Sequence, residues 1–314
     1  MAMYTWNNSK KLCGLQIMDT HVRMIELIEE GKQLQAGRRY TMELPPCSVI
    51  NGIIKEEAAV VSCIETMVKT LEMQAAQVHL IIPTSHRITR KSIPIALETR
   101  EFKQLMEKDS LNVNYNPQVK HAIHNYVRLG SPLQLSQQED VLTIATSAET
   151  IQGYLEVVKK AGLELLTIEP TLFSLYRAIF RNWQDSNKGM SQRFVLVQSD
   201  LGFSEISVFD RGVPVFTFVI NGADYASIKA YTYDLQMEFK RILSYFRQAV
   251  FSDPKDLRDL YLVGEMDWLK KLLQPVSMMF EGNMTLLSLV DLMNTCEMVS
   301  DPYAAELGLT ERGA

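Results

Sequence analysis

Apolar positions in this chain fall into two textures, runs of strand length and stripes at helical spacing. Phe194-Val195-Leu196-Val197, Ile206-Ser207-Val208-Phe209 and Val213 to Val219 are runs of the first kind. Gln198-Ser199-Asp200-Leu201-Gly202 and Asp210-Arg211-Gly212 separate them. Short polar, glycine-bearing breaks between such runs predict three strands joined by two tight turns. The same grammar recurs near the N-terminus, where Leu12-Cys13-Gly14-Leu15 and Val22 to Leu27 flank Gln16-Ile17-Met18-Asp19-Thr20, and Glu29-Glu30-Gly31 closes the second run. A Gln follows the first run in both copies. A unit that occurs once per half predicts two similar lobes facing each other, the alternative being two unrelated hairpins.

Between the copies, Leu34 to Leu44 reads as a third strand, ended by Pro45-Pro46, and Asn51-Gly52 marks a turn. From Lys55 to Met73, the apolar positions Ala59, Val60, Cys63, Ile64, Met67, Val68 and Leu71 predict a helix with one face on a sheet. Gln77 to Pro83 reads as a buried strand, with His79 a core histidine. The texture changes from Thr84 to Thr146: a half-exposed strand at Arg87 to Ile93, a short helix from Leu97 to Lys108 with Phe102, Leu105 and Met106 inward, and strands at His121 to Leu129 and Val141 to Ala145. That order reads as a small inserted subdomain. His121 and His124 fall on opposite faces of their strand and make no metal site.

Ala148 to Ala161 follows as a helix with Ile151, Leu155 and Val158 as its stripe and Gly162 as its stop. Leu163 to Glu169 is a strand, and Pro170 opens a helix through Leu172, Leu175, Tyr176 and Ile179. Asn182 to Gln192 is the linker. In the second half, Leu235, Phe239, Ile242, Leu243, Phe246 and Val250 line a long helix beginning near Asp224. Leu257 to Val263 is a strand, Gly264-Glu265-Met266 its turn, and Asp267 the N-cap of a helix from Trp268 to Leu273. Val276 to Phe280 reads as a last strand and Pro302 to Leu309 as a terminal helix. The organisation is α/β: a tail at residues 1–10, a first lobe at 11–83 and 147–189, an insertion at 84–146, and a second lobe at 190–314.

Composition narrows the function classes. A chain of 314 residues with 46% hydrophobic and 22% charged residues is globular and long enough for roughly two domains. Its net charge of -5 disfavours nucleic acid and anionic lipid as partners. No apolar run nears the roughly 18 residues that span a bilayer, and Met1 to Lys10 is too polar for a signal peptide, so a cytoplasmic location is expected. Cys13, Cys47, Cys63 and Cys296 form no C-x-x-C pair, signal neither zinc nor disulfides, and read as buried small apolar residues.

Taken in order, the two hairpin lobes, the inserted strand-helix-strand-strand subdomain, the Pro170-led helix, the Gly264 turn and the terminal Tyr303-Ala304-Ala305-Glu306-Leu307-Gly308-Leu309 resemble the type IV pilus assembly proteins PilM, with the division protein FtsA a more distant likeness. Gly14-Leu15-Gln16-Ile17, Leu44-Pro45-Pro46, Asn51-Gly52-Ile53-Ile54, Ala161-Gly162-Leu163 and Ile168-Glu169-Pro170 agree with it. The resemblance implies an actin-like, ribonuclease H-like two-lobe fold. It also implies a cytoplasmic platform for PilN, a bitopic inner-membrane protein whose short tail docks on the first lobe.

Where that family would hold a nucleotide, this chain departs from the pattern. The first phosphate turn should read Asp-x-Gly, but Gln16, Ile17 and Met18 stand there. The second aligns in two ways: without a gap, Gln198 and Asp200 replace the acid and the glycine; with a deletion, Asp200-Leu201-Gly202 restores the motif. The ungapped register is preferred, because it puts Gln at the same place in both lobes. The adenosine turn keeps Gly264 but carries Glu265 and Met266, and an anionic side chain there repels phosphate. The stretch from Asn221 to Asp253 is also short for a subdomain that closes over a nucleotide.

No cofactor, metal or catalytic residue is therefore expected. The reading is a non-catalytic scaffold of a pilus or DNA-uptake machine, held at the inner face of the membrane by its partner. The alternatives are a nucleotide-binding, polymerising actin homologue and, third, a small-molecule kinase, which needs the acid and both phosphate turns. The expected docking face is the cleft between first lobe and insertion, where Arg87, Arg90 and Lys91 offer positive groups to an extended peptide. A solvated strand face is the plainer account of those three.

Overall fold

The computed structural model describes residues 11–30, 33–83, 87–94, 100–102, 104–105, 122–130, 138–176, 193–200, 203–222, 225–250, 257–264 and 266–287. The chain opens with an antiparallel meander of β1 (Leu12–Ile17), β2 (His21–Glu30) and β3 (Gln33–Glu43). A short ribbon, β4 (Val49–Ile50) and β5 (Ile53–Ile54), folds about Asn51-Gly52, and α1 (Glu57–Thr70) leads into β6 (Gln77–Ile82), parallel to β1. β7 (Arg87–Pro94), β8 (Ala122–Gly130) and β9 (Gln138–Ser147) form a separate sheet in the order β7-β9-β8. β9 runs directly into α2 (Ala148–Lys160), and β10 (Glu164–Pro170) returns to the first sheet beside β6.

The second lobe repeats the plan. β11 (Arg193–Asp200), β12 (Phe203–Asp210) and β13 (Val213–Asn221) are its meander. After α3 (Ile228–Tyr245) and a π-helical turn (Phe246–Val250) come β14 (Asp259–Gly264), α4 (Met266–Ser277) and β15 (Asn283–Leu287). The strand orders β10-β6-β1-β2-β3 and β15-β14-β11-β12-β13 correspond one to one. So do the registers: Leu12 pairs with Leu27 and Gln77, and Phe194 with Phe209 and Asp259. One increment in residue number carries each first-lobe position to its second-lobe counterpart across all three strands.

Strand alternation sorts the core into layers. Cys13, Leu15, Ile17, Val22 and Met24 pack against α1 and α2; Val195, Val197, Ile206 and Val208 pack against α3 and α4. The opposite faces meet each other in a third apolar cluster containing Ile25, Leu27, Ile81, Phe194, Leu196, Phe209, Tyr261 and Val263. The insertion has a small core of Ile93, Phe102 and Val141, with Leu105 against it.

Several expectations need correction. The buried face of α2 is Thr150, Tyr154, Val157 and Val158, with Ile151 and Leu155 only half-buried. Tyr154 turns inward because its hydroxyl donates to the Gly52 carbonyl, 3.0 Å away, which satisfies its polar end. α4 begins at Met266, so Asp267 lies inside the helix and is not its N-cap. Val276 and Phe280 are not a strand: they lie one helical turn apart, the Phe280 N–H donates to the Val276 carbonyl, and the last strand is Asn283–Leu287. The long helix of the second lobe starts at Ile228, where Ser227 Oγ accepts from the Ala230 N–H. Cys47 is exposed, at a left-handed φ of 65° in the turn made by Pro45-Pro46. Pro170 closes β10, and helical residues 171–176 follow it. The tail, the linker, His121 and the helix expected from Pro302 lie outside the described residues.

Candidate functional site

Along the facing surfaces of the two sheets, the apolar seam gives way to polar side chains at the end where the first hairpin turns lie. Gln16 and Arg23 pair across β1 and β2, and Gln198 and Glu205 pair at the corresponding place on β11 and β12. All four are at most 5% exposed. Arg23 Nη1 donates to Gln16 Oε1 at 3.1 Å, Gln16 Nε2 donates to Thr171 Oγ1 at 3.4 Å, and the Thr171 hydroxyl donates to the Ile82 carbonyl. On the other side, Ser207 Oγ donates to Glu205 Oε1 at 3.3 Å. Gln198 Oε1 is buried with no hydrogen-bond partner among the described residues.

The first turn is closed by its own chain. The Met18 N–H donates to the His21 carbonyl at 2.9 Å, and Met18 is buried. The neighbouring Asp19 carboxylate accepts from the backbone N–H groups of Asn51 (2.6 Å) and Gly52 (2.9 Å). Left-handed φ values of 54° and 70° at those residues aim both N–H groups to one side, a concavity suited to an anion. Asn51 Oδ1 in turn accepts from Asn221 Nδ2 of the second lobe at 2.8 Å, so the β4–β5 ribbon both caps the first turn and bridges the lobes.

The strand ends that flank the second turn are held by a buried hydroxyl and indole network. Trp268 Nε1 donates to Ser199 Oγ at 2.7 Å, Tyr231 Oη donates to Ser204 Oγ at 2.6 Å, and the two serine hydroxyls bond to each other. α3, α4 and the hairpin are thereby tied at one point, with the Tyr231 and Trp268 ring centroids 5.7 Å apart. Gly264 makes the approach possible: at a φ of 150°, an added Cβ would lie 1.8 Å from the Ser199 carbonyl oxygen. Asp200 pairs with Phe203 through its backbone, and its side chain, Gly202 and Glu265 lie outside the described residues.

Of the three basic residues expected to meet the peptide, Arg90 is committed within the chain; the side chains of Arg87 and Lys91 lie outside the described residues. Arg90 Nε donates to Asp140 Oδ2 at 2.8 Å, with Nη2 on the same oxygen, and Nη1 donates to Asp210 Oδ2 of the second lobe at 2.7 Å. Arg193 Nε donates to Asp210 Oδ1 at 3.0 Å and Ser92 Oγ to Asp140 Oδ1 at 2.6 Å. Burial alone would raise the Asp210 pKa, but hydrogen bonds from Arg193 and Arg90, with the charges of Arg211 and Arg90, outweigh it and hold the carboxyl below the ordinary aspartate value. Burial likewise works against the Arg90 charge, and its two aspartates more than restore it.

Sequence reasoning named Gln16, Met18, Gln198 and Gly264, which the fold gathers at the turn ends of the two sheets. It missed Asp19, Ser199, Tyr231, Trp268, Asp140 and Asp210. Asp19 next to a turn and Asp210-Arg211-Gly212 were visible as turn residues, but nothing local announces partners such as Arg90, 120 residues away from Asp210.

The family described as type IV pilus assembly protein PilM matches residues 14–296. No curated protein matches the sequence. Among solved structures, a PilM-PilN type IV pilus biogenesis complex is similar over 96% of this chain and 98% of its own, at 17% identity and a TM-score of 0.78. A Bacteroides thetaiotaomicron protein with an actin-like ATPase fold covers 95% of this chain and 100% of its own, with 13% identity and a TM-score of 0.53. Ethanolamine utilization protein EutJ from Carboxydothermus hydrogenoformans covers 96% and 89%, with 11% identity and a TM-score of 0.51. These likenesses show the actin-like fold.

Proposed function

The chain belongs to the family of the type IV pilus assembly protein PilM, and from that premise we propose that it is a non-catalytic platform of a pilus-assembly machine. On this reading it docks the cytoplasmic tail of a PilN-type membrane protein between its first lobe and the inserted subdomain. The observation that carries the partner is the likeness over nearly the whole chain to a structure that is itself a PilM-PilN complex. No helix among the described residues is long and apolar enough to cross a membrane.

The polar seam supports the non-catalytic half of the reading, because its residues do not fit a magnesium-bound phosphate. Gln16 supplies an amide where a metal needs a carboxylate, and its oxygen already accepts from Arg23. A divalent cation brought there meets the guanidinium, and a phosphate meets the buried Glu205 carboxylate. The N–H concavity at Asn51-Gly52 holds Asp19, and the strand ends beside the second turn are taken by Trp268 and Tyr231.

The test is calorimetric titration of the full-length protein with a synthetic peptide carrying the partner's cytoplasmic tail. Saturable binding, unchanged by magnesium-ATP, is the expected result. A tail that does not bind, or binds only when nucleotide is present, contradicts the platform reading.

A further inference from the structure

Arg211 at the tip of the turn from β12 to β13 is exposed, but the residues on either side of it are seated between the first lobe and the insertion. Phe209, at its start, stacks on Phe194 at 4.6 Å and on Tyr176 of the first lobe at 5.3 Å. Gly212, at its end, has a φ of 75° and lies so close to Tyr176 that an added Cβ would be 2.6 Å from the tyrosine oxygen. Between them, the Asp210 carboxylate takes Arg193 from its own hairpin and Arg90 from the insertion. Arg211 Nη2 lies 3.5 Å from Asp210 and 3.9 Å from Asp140. The Arg90, Asp140 and Asp210 side chains are 17%, 5% and 10% exposed, so these are not solvent-screened surface pairs.

The insertion needs such an anchor. Its described core has four members, and Leu142 on β9 belongs to the seam between the lobes, not to that core. Among the described residues, Asp210 is the hydrogen-bond partner that carries Arg90 across to the second lobe; Asp140 holds the same guanidinium from inside the insertion. Without the Asp210 carboxylate, Arg90 would keep Asp140 but lose this ion pair to the second lobe.

We propose that Asp210 is a positioning residue for partner docking: by holding Arg90 it sets the orientation of the insertion, and with it the wall of the cleft that receives the tail. The second lobe thereby controls docking on the first. This rests on the docking reading above and adds the residue through which the two lobes communicate.

The test uses full-length wild type, Asp210→Asn, Asp210→Glu and Arg90→Lys, with the partner-tail peptide as ligand and amide hydrogen exchange as a second readout. Asp210→Asn keeps the shape and removes the charge. It is expected to weaken the tail about tenfold, in the range for residues acting at one remove, and to speed exchange in β7 and β9 more than in α1 and β6. Asp210→Glu restores part of both effects, and Arg90→Lys, a point charge without the planar fork, is intermediate. Unaltered tail affinity in Asp210→Asn, or unaltered exchange in β7 and β9, overturns the proposal. If wild type binds no tail, the docking reading and the positioning role fall together. The charge-held joint itself is then judged on exchange alone.

Discussion

The two lobes share one five-stranded plan, one register and one pair of buried glutamines, yet they close their first turns by different chemistry. In the first lobe a carboxylate, Asp19, fills a backbone N–H concavity borrowed from the β4–β5 ribbon. In the second, two serines, a tyrosine and a tryptophan fill the space with neutral hydrogen bonds. The shared strand frame therefore says nothing about ligand chemistry, which resides in the few residues at the strand ends.

The sharpest break in the symmetry is Gly264, whose first-lobe counterpart in the register is the buried Ile82. Gly264→Ala drives a methyl into the Ser199 carbonyl and is expected to cost at least about 4 kcal/mol, unfolding the second lobe. Ile82→Ala loses only buried methyl groups, at about 2 to 5 kcal/mol. Denaturant unfolding of both variants checks the order, and equal losses would deny the close approach.

Next in size is the joint. Asp210→Asn is expected to lose about 3 kcal/mol at neutral pH, as for breaking a buried charge pair. Because the folded-state pKa of Asp210 is depressed, its contribution is complete above the ordinary aspartate value of about 3.9 and disappears as pH falls through the lower folded value. Wild type and Asp210→Asn should therefore converge in stability on acidification below about pH 4. A gap that does not narrow as pH falls below the ordinary aspartate value would mean that packing and not charge holds the joint.

Smaller effects separate the two turn chemistries. Tyr231→Phe removes one buried donor and should cost about 1 to 2 kcal/mol, independent of salt. Asp19→Ala leaves the Asn51 and Gly52 N–H groups partly open to water and should cost about 1 kcal/mol, with a loss that shrinks as salt rises. Thermal unfolding at low and high ionic strength distinguishes them, and identical salt dependence would erase the proposed contrast.

Strands and hairpins were legible because their signals are local: apolar runs near Leu12 and Phe194, turn residues between them, and a Gln after the first run of each copy. The face of α2 was not, because Tyr154 and Thr150 carry polar atoms and weigh little in an apolar stripe, although the Gly52 carbonyl makes the interior acceptable to Tyr154. The strand expected at Val276 was a helix end, since two apolar residues four apart suit either state in so short a run. The closing groups of the site were illegible for a different reason. Asp19, Asp140 and Asp210 look like ordinary turn or strand-edge acids until the fold brings them the N–H groups and guanidinium groups they bind.

The proposal that the chain's own groups occupy the strand ends where the family would hold a nucleotide, and that the molecule works as a platform, is tested most directly by calorimetric titration with magnesium-ATP. Full-length protein is expected to give no binding heat at micromolar nucleotide. Micromolar affinity abolished by Asp200→Ala would contradict the account and restore the gapped alignment, with Asp200-Leu201-Gly202 as a working phosphate turn.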